Sequence, residues 1–581
     1  MKMIQAVVAI ALMAMSMEVA AQNSATNSVQ QPTPAIKVNT RLVIVDVVPT
    51  DKGGKVVSGL KASDFKIFDN GKEQRVRFFE EHTSARTAAT SGIPKLPPNQ
   101  FTNYPFDPPK DTVNLILFDL LNVAPADQQY ARKEMLKALT RLPKGRQLAL
   151  FTLGNRLQMI QGPSSDSEQL IAAANKLMAS SAREVTTRTQ SNANNTTLGN
   201  LANSSGAPSG TVNGMAVGGS PFNVDEQLHD ALVREEKFMI ENRIATTLNS
   251  LIAISRMVSG YPGRKNLIWI TAGIPFQMGV DMKTNKYKRN RNQQDYLPEL
   301  ERAGTALAEA QLTVYPVDVA GMSMTGMDSS VSGVSFSASG KEYSTALSDQ
   351  NDSQWNNRVS MDDIAAQTGG KSYYGSNSLA DSIGSALEHG SKYYTLAYTP
   401  DTVKWDGTYH NIDVKAPLAS KIAHRKGYVA VPEWNPTEKE ANAVLATSMQ
   451  MGMPSASALL IRAQVLPPDK DNPNVRIDYA VSTRDVQFIE TEKGAHAGTV
   501  DFMATAWDSQ SKFVSSSSQS VTVRVPADAK ADQLKTGVPA HQEVALKPGS
   551  YTMCIGAMDR ASQRVGTVWL QVTVPDLKDS K

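Results

Sequence analysis

The pattern of apolar and polar positions changes character three times along the chain, and each change marks a unit. Between Ile36 and His82 the apolar residues fall in short β-branched or alternating runs: Leu42 to Val48, Val56-Val57, Phe65-Lys-Ile-Phe-Asp69 and Val76 to Phe79. Asp51-Lys-Gly-Gly54 and Asn70-Gly71 supply turn residues between them, the second being a strong tight-turn signal. This spacing predicts a small β unit over 36–82. Residues 83–111 then carry Pro94, Pro97, Pro98, Pro105, Pro108 and Pro109, which block regular structure and predict a Pro-rich linker.

From Thr112 the runs become continuous. Val113 to Phe118, Gln147 to Thr152, Lys265 to Thr271 and Leu312 to Asp318 predict strands buried on both faces. Helical spacing separates them at Asp127 to Leu142, Ser165 to Met178, Asp225 to Ser259 and Pro298 to Ala310, and follows them at Met361 to Gln367 and Leu379 to Leu387. Such alternation predicts a doubly wound α/β domain over 112–390, with a largely parallel sheet covered on both sides. Two stretches inside it, 180–223 and 321–353, are rich in Ser and Gly and predict flexible insertions, since they bury too little apolar surface to offset their ordering entropy. The second follows a strand's carboxyl end, the edge where open α/β sheets bind ligands.

Beyond the α/β pattern, Lys392 to Tyr398, Tyr409 to Val414 and Lys421 to Val431 predict a β tail over 391–432. Residues 433–455 predict a helical connector. The last segment, 456–576, is β throughout, with runs such as Leu459 to Val465, Val475 to Val481 and Tyr551 to Ala557. Turn clusters at short intervals predict an immunoglobulin- or fibronectin-like β-sandwich there.

Composition narrows the function. Lys plus Arg number 59 against 56 Asp plus Glu, so the chain is close to neutral, and without a dense basic stretch it offers nothing to nucleic acid. A single cysteine, Cys554, excludes an intramolecular disulfide framework and a multi-cysteine metal site. At the start, Lys2, the apolar run Ala6 to Met17 and the small residues Val19-Ala20-Ala21 predict a signal peptide over 1–21. That run is too short to span a bilayer, no cysteine follows it for a lipid anchor, and no second run approaches spanning length. A secreted or periplasmic protein is expected, with no transmembrane segment after signal cleavage.

Enzyme chemistry leaves no trace in the motifs. The seven histidines (82, 229, 389, 410, 424, 496 and 541) are scattered, and no zinc-protease, nucleophile-elbow or phosphate-loop pattern occurs. The expectation is a chain with no catalytic and no cofactor-binding residues.

Phe118-Asp-Leu-Leu-Asn122, Lys265-Asn-Leu-Ile-Trp-Ile-Thr-Ala-Gly-Ile-Pro275 and Thr368-Gly-Gly370 occur in that order within the α/β pattern. Gly59-Leu60, Asp64-Phe65 and Asp69-Asn-Gly71 precede them; Tyr393-Tyr-Thr-Leu-Ala-Tyr-Thr-Pro400 and Arg425-Lys-Gly-Tyr428 follow. On these residues the chain resembles a von Willebrand factor type A domain, and over 36–431 the type A-related secreted proteins abundant in acidobacteria. The resemblance implies a Mg²⁺ or Mn²⁺ at the sheet's carboxyl edge, held by an Asp-x-Ser-x-Ser loop, a Thr and a second Asp, with one position left for a partner's carboxylate. Here Asp119 matches the first Asp, while Leu121 and Val123 stand at the Ser positions and Ala272 at the second Asp. Asn122 is one residue out of phase, and Thr246 or Thr247 stands for the Thr. The metal candidates are therefore Asp119, Asn122, Thr246 and Thr247, in a degenerate adhesion site for which no cofactor is expected unless Mg²⁺ or Mn²⁺ binds weakly. In a site without metal, Asp119 is expected to cap a loop or a helix N-terminus. The function expected is a non-catalytic interaction, adhesion or scaffolding protein with a protein ligand. Its alternatives are a structural envelope protein and a secreted hydrolase using carboxylates such as Asp119 and Asp318.

Overall fold

The computed structural model describes residues 42–82, 96–104, 112–141, 147–175, 224–274, 296–319, 355–431, 436–525 and 537–576, with the strand pairs 280–281 and 286–287 and apart from short gaps at 54, 262, 377, 401–403, 418, 454 and 492–494. The predicted signal peptide and both predicted insertions lie outside the described residues.

At the centre is a five-stranded sheet in the order Leu312–Asp318, Lys265–Thr271, Val113–Asp119, Leu148–Leu153, Leu157–Ser164. The first four are parallel and the last is antiparallel. Residues of each parallel strand alternate between two cores. Leu115, Leu117, Leu267 and Trp269 face one side; Ile116, Phe118, Ile268 and Ile270 face the other. Helices Val224–Val258, Leu297–Glu309 and 355–368 bring Leu251, Leu300 and Ile364 to the first core. Helices Pro125–Thr140, 167–175 and Leu379–His389 bring Met135, Leu170 and Ile383 to the second. With both faces covered, continuous apolar strands are what burial requires. The strand order reverses at Val113–Asp119, so the crevice beyond its carboxyl end is the switch point where such sheets place ligands.

The antiparallel edge strand Leu157–Ser164 was not predicted. It is half-buried and carries Gly162 and Pro163, which an edge tolerates and a central strand does not.

The segments predicted as a separate β unit and β tail form one body. Val43–Thr50 pairs antiparallel with Tyr393–Tyr398, which also pairs with Phe78–His82. Tyr409–Lys415 pairs with Lys66–Asp69 and with Gly427–Val429. Val45, Phe65, Ile67, Tyr394, Tyr398 and Tyr428 share one core. At its heart the nearly buried Asp69 accepts hydrogen bonds from Tyr398 Oη (2.9 Å) and Tyr428 Oη (2.8 Å). The α/β unit is thus inserted between the two halves of a β unit. The reason the sequence separates them is distance along the chain: pairing across more than 300 residues leaves no local signature.

The C-terminal residues form two antiparallel sheets that share one core, including Ile461, Ile477, Phe502, Ala504, Ile555 and Leu570. Part of the predicted linker belongs here. Gln100–Thr102 adds an edge strand to Ile461–Leu466, and Asn103 Nδ2 donates to the carbonyls of Ala456 (2.7 Å) and Leu459 (2.8 Å). Helix Glu438–Ser448 starts at a capping box of Thr437 and Glu440 and lays Ala441 and Leu445 over Met503, Trp507 and Cys554. Cys554 is fully buried, and burial pushes its thiol well above the usual range, so it is an apolar packing residue. Ser457 Oγ donates to the Met257 carbonyl at 2.7 Å, joining this unit to the α/β unit. A Cβ at Gly260 would lie 1.9 Å from the Ser457 carbonyl oxygen, so the contact needs glycine. Among the described residues no helix is long and apolar enough to cross a membrane.

Candidate functional site

Three elements converge at the switch point. The first is the carboxyl end of Val113–Asp119 with the loop that follows. The second is the end of Lys265–Thr271, and the third is the middle of helix Val224–Val258. Asp119 is the last residue of its strand and is fully buried. Its Oδ1 accepts the backbone N–H groups of Leu121 (3.1 Å) and Asn122 (2.9 Å), closing the loop. Its Oδ2 accepts from Asn122 Nδ2 (2.8 Å), Trp269 Nε1 (3.0 Å) and Thr271 Oγ1 (2.9 Å). Trp269 and Thr271 are two apart on one strand, so both point to the same face, and that face meets the helix.

The helix supplies the rest. Thr247 Oγ1 accepts from Asn122 Nδ2 at 3.0 Å, and one turn earlier Arg243 Nε donates to Asn122 Oδ1 at 3.2 Å. Thr271 Oγ1 in turn accepts the N–H of Gly273 at 3.1 Å. Gly273 has φ +81°, and a Cβ there would meet Asn357, so the loop lies tight against helix 355–368. Burial pushes the Asp119 carboxyl above the usual carboxylate range, and the hydrogen bonds from Asn122, Thr271 and Trp269 oppose that shift. Burial lowers the Arg243 guanidinium, and the charge of Asp119 raises it.

Of the residues predicted from the sequence, Asp119, Asn122 and Thr247 meet. Thr246 does not join them: it is only half-buried, and its carbonyl receives Ser250 Oγ within the helix. Arg243, Trp269 and Thr271 were missed. The available signals were the i, i+4 spacing of Arg243 and Thr247 and the i, i+2 spacing of Trp269 and Thr271.

A divalent cation does not fit this set. Both oxygens of Asp119 already accept five hydrogen bonds, and Asn122 Oδ1 is held by Arg243. Leu121 packs against one core, Val123 belongs to the other and Ala272 packs against it, so the positions that would supply oxygens supply hydrocarbon. Among the described residues no three His, Cys, Asp or Glu side chains cluster as a metal site.

Apolar groups surround this closed centre. The long helix continues for about six turns on the amino-terminal side of Thr247, with Ile244 and Ile240 still packed on the first core. Phe238 and Met239 on it are 66% and 55% exposed. Trp355, which opens helix 355–368, and Tyr374, next to the residue bridging Val317, are also exposed at this edge. Asp318, the carboxylate at the neighbouring strand end, pairs with Arg358 at 3.5 Å, whose guanidinium lies over the Tyr374 ring.

No family model matches the chain, and no curated protein matches it. Among solved structures it is similar to an aerotolerance-related membrane protein from Bacteroides fragilis NCTC 9343 (10% identity, 48% of this chain and 98% of that one, TM-score 0.23). It is also similar to a conserved hypothetical protein BatB from Bacteroides thetaiotaomicron (9% identity, 48% and 99%, TM-score 0.20). A third similarity is to the ArnB paralog VWA2 from Sulfolobus acidocaldarius (8% identity, 88% and 75%, TM-score 0.17). Likeness at this level carries no argument, and the reading below stands on the sheet order and the geometry of its edge.

Proposed function

We propose that the protein is an exported, non-catalytic interaction protein whose type A-like domain captures a protein ligand at the carboxyl edge of its sheet without a divalent cation. The observation that carries this reading is the contrast at that edge. The polar centre around Asp119 is satisfied from within, while Phe238, Met239, Trp355 and Tyr374 stand exposed around it. Large aromatic and Met side chains gathered at such an edge are the composition of a protein interface. The β unit that brackets the domain and the C-terminal sheets, read as an immunoglobulin- or fibronectin-like sandwich, serve as spacers. The signal-peptide pattern read in residues 1–21 supports action in the periplasm or outside the cell.

The test is affinity capture from the cell envelope and medium with the full chain, beside Phe238→Asp and Trp355→Ala. A specific ligand held by the wild type and lost at least tenfold by both variants is expected. Equal capture by all three would move binding away from this edge. Turnover of ester, glycoside or peptide substrates that Asp119→Asn abolishes would overturn the non-catalytic reading.

A further inference from the structure

The Asp119 cluster contains a positive charge that no expected metal accounts for. Arg243 is a helix residue, yet its Nε donates to Asn122 Oδ1 at 3.2 Å while the amide of the same Asn122 donates to Asp119 Oδ2 at 2.8 Å and to Thr247 Oγ1 at 3.0 Å. Asn122 is therefore a relay with its carbonyl turned to the cation and its amide turned to the anion. An amide polarised in that sense strengthens both bonds. The guanidinium also lies near enough to Asp119 to interact with its charge directly. We propose that Arg243, acting through Asn122, is the resident cation of this edge: it takes the place that a divalent ion holds in adhesive domains of this fold and clamps the long helix to the central strand permanently.

The chemistry explains the residues around it. A guanidinium is charged at every pH a folded chain meets, and it needs no oxygen ligands from Leu121, Val123 or Ala272. The clamp grips the helix at two residues one turn apart, Arg243 and Thr247, so those turns are held to the edge whatever the cation supply. The consequence for ligand capture rests on the proposed binding at this edge, but the clamp itself does not.

The experiment is a double-mutant cycle in the full chain. Equilibrium unfolding is measured for wild type, Arg243→Met, Asp119→Asn and the double variant, with Arg243→Lys as the conservative replacement. Wild type and Arg243→Lys are also melted in Mg²⁺, Mn²⁺ and chelator. The expected result is a coupling between positions 119 and 243 of about tenfold or more in the unfolding equilibrium constant. Arg243→Lys should recover part of the loss that Arg243→Met causes, and neither metal nor chelator should move the wild-type midpoint. Additive effects of the two substitutions would overturn the proposal, because a residue that only packs does not sense the charge at 119. A wild-type midpoint raised by Mg²⁺ or Mn²⁺ would overturn it too, and that series decides alone where an Asp119 variant does not fold. Failure of ligand capture with the coupling intact would remove the binding reading and leave the clamp standing.

Discussion

Asp119 is the residue on which the edge depends. Five donors converge on a carboxylate with no solvent contact, so removing it strands the Trp269 indole N–H and the Asn122 amide in a dry site. Asp119→Ala is expected to cost about 3–5 kcal/mol, read by urea unfolding, because an unpaired buried donor forfeits its full desolvation energy. His389 gives a second residue-level prediction. Burial and then the charges of Arg264, Lys371 and Lys421 hold its imidazole down to about 4. In the unfolded chain it titrates near 6.5, so the stability it protects is complete above that pH and is lost as pH falls towards 4. The loss should approach roughly 3 kcal/mol when protonation is complete. His389→Phe should flatten that part of the stability profile, leaving a smaller slope from His424, which burial lowers in the same direction. At this scale Asp119 and Asn122 were legible because a strand end and the loop after it mark them, while Thr247 was read only as an alternative to Thr246. Arg243 was not, since its i, i+4 spacing from Thr247 points to a shared helix face but not to the loop that face meets.

Among elements, the parallel strands were legible and the edges were not. Val113–Asp119 and Lys265–Thr271 are buried at every position, and their centres are the apolar runs Leu115 to Phe118 and Leu267 to Ile270. Helix 355–368 shows in the sequence only through its Met361 to Gln367 half, because Asn356, Asn357 and Arg358 give its first turns no apolar spacing. Gln100–Thr102 hides among prolines, and its pairing partner lies more than 350 residues away. Gly260 tests how the elements are joined. Gly260→Val would drive a side chain into the Ser457 carbonyl, where only backbone can yield. The expected outcome is a loss of about 1–3 kcal/mol and faster proteolysis between the α/β unit and the C-terminal sheets. Unchanged proteolysis would show that the contact at Ser457 does not hold the two together.

For the molecule as a whole, the order of the units along the chain misleads. The α/β unit is an insertion, and the β unit around it is complete only when Val43–Thr50 and Phe78–His82 flank Tyr393–Tyr398. A fragment spanning 112–432 therefore carries Tyr394, Leu396 and Tyr398 without the strands that cover them. It is expected to aggregate or bind a hydrophobic dye, whereas a fragment spanning 42–431, which keeps those strands, should stay more soluble and bind less dye. Equal solubility of the two would contradict the insertion. The doubly wound class was readable from periodicity alone, while the embedding was not, because pairing at such separation depends on the folded topology.

The proposed closure of the carboxyl edge by the protein's own groups leaves no place for a metal. Titrating the full chain into Mn²⁺ while following the electron paramagnetic resonance of the free ion tests it most directly. The signal of free Mn²⁺ should be the same with wild type as with Asp119→Ala, at every protein concentration used. A stoichiometric fall in that signal with wild type, absent in Asp119→Ala, would contradict it.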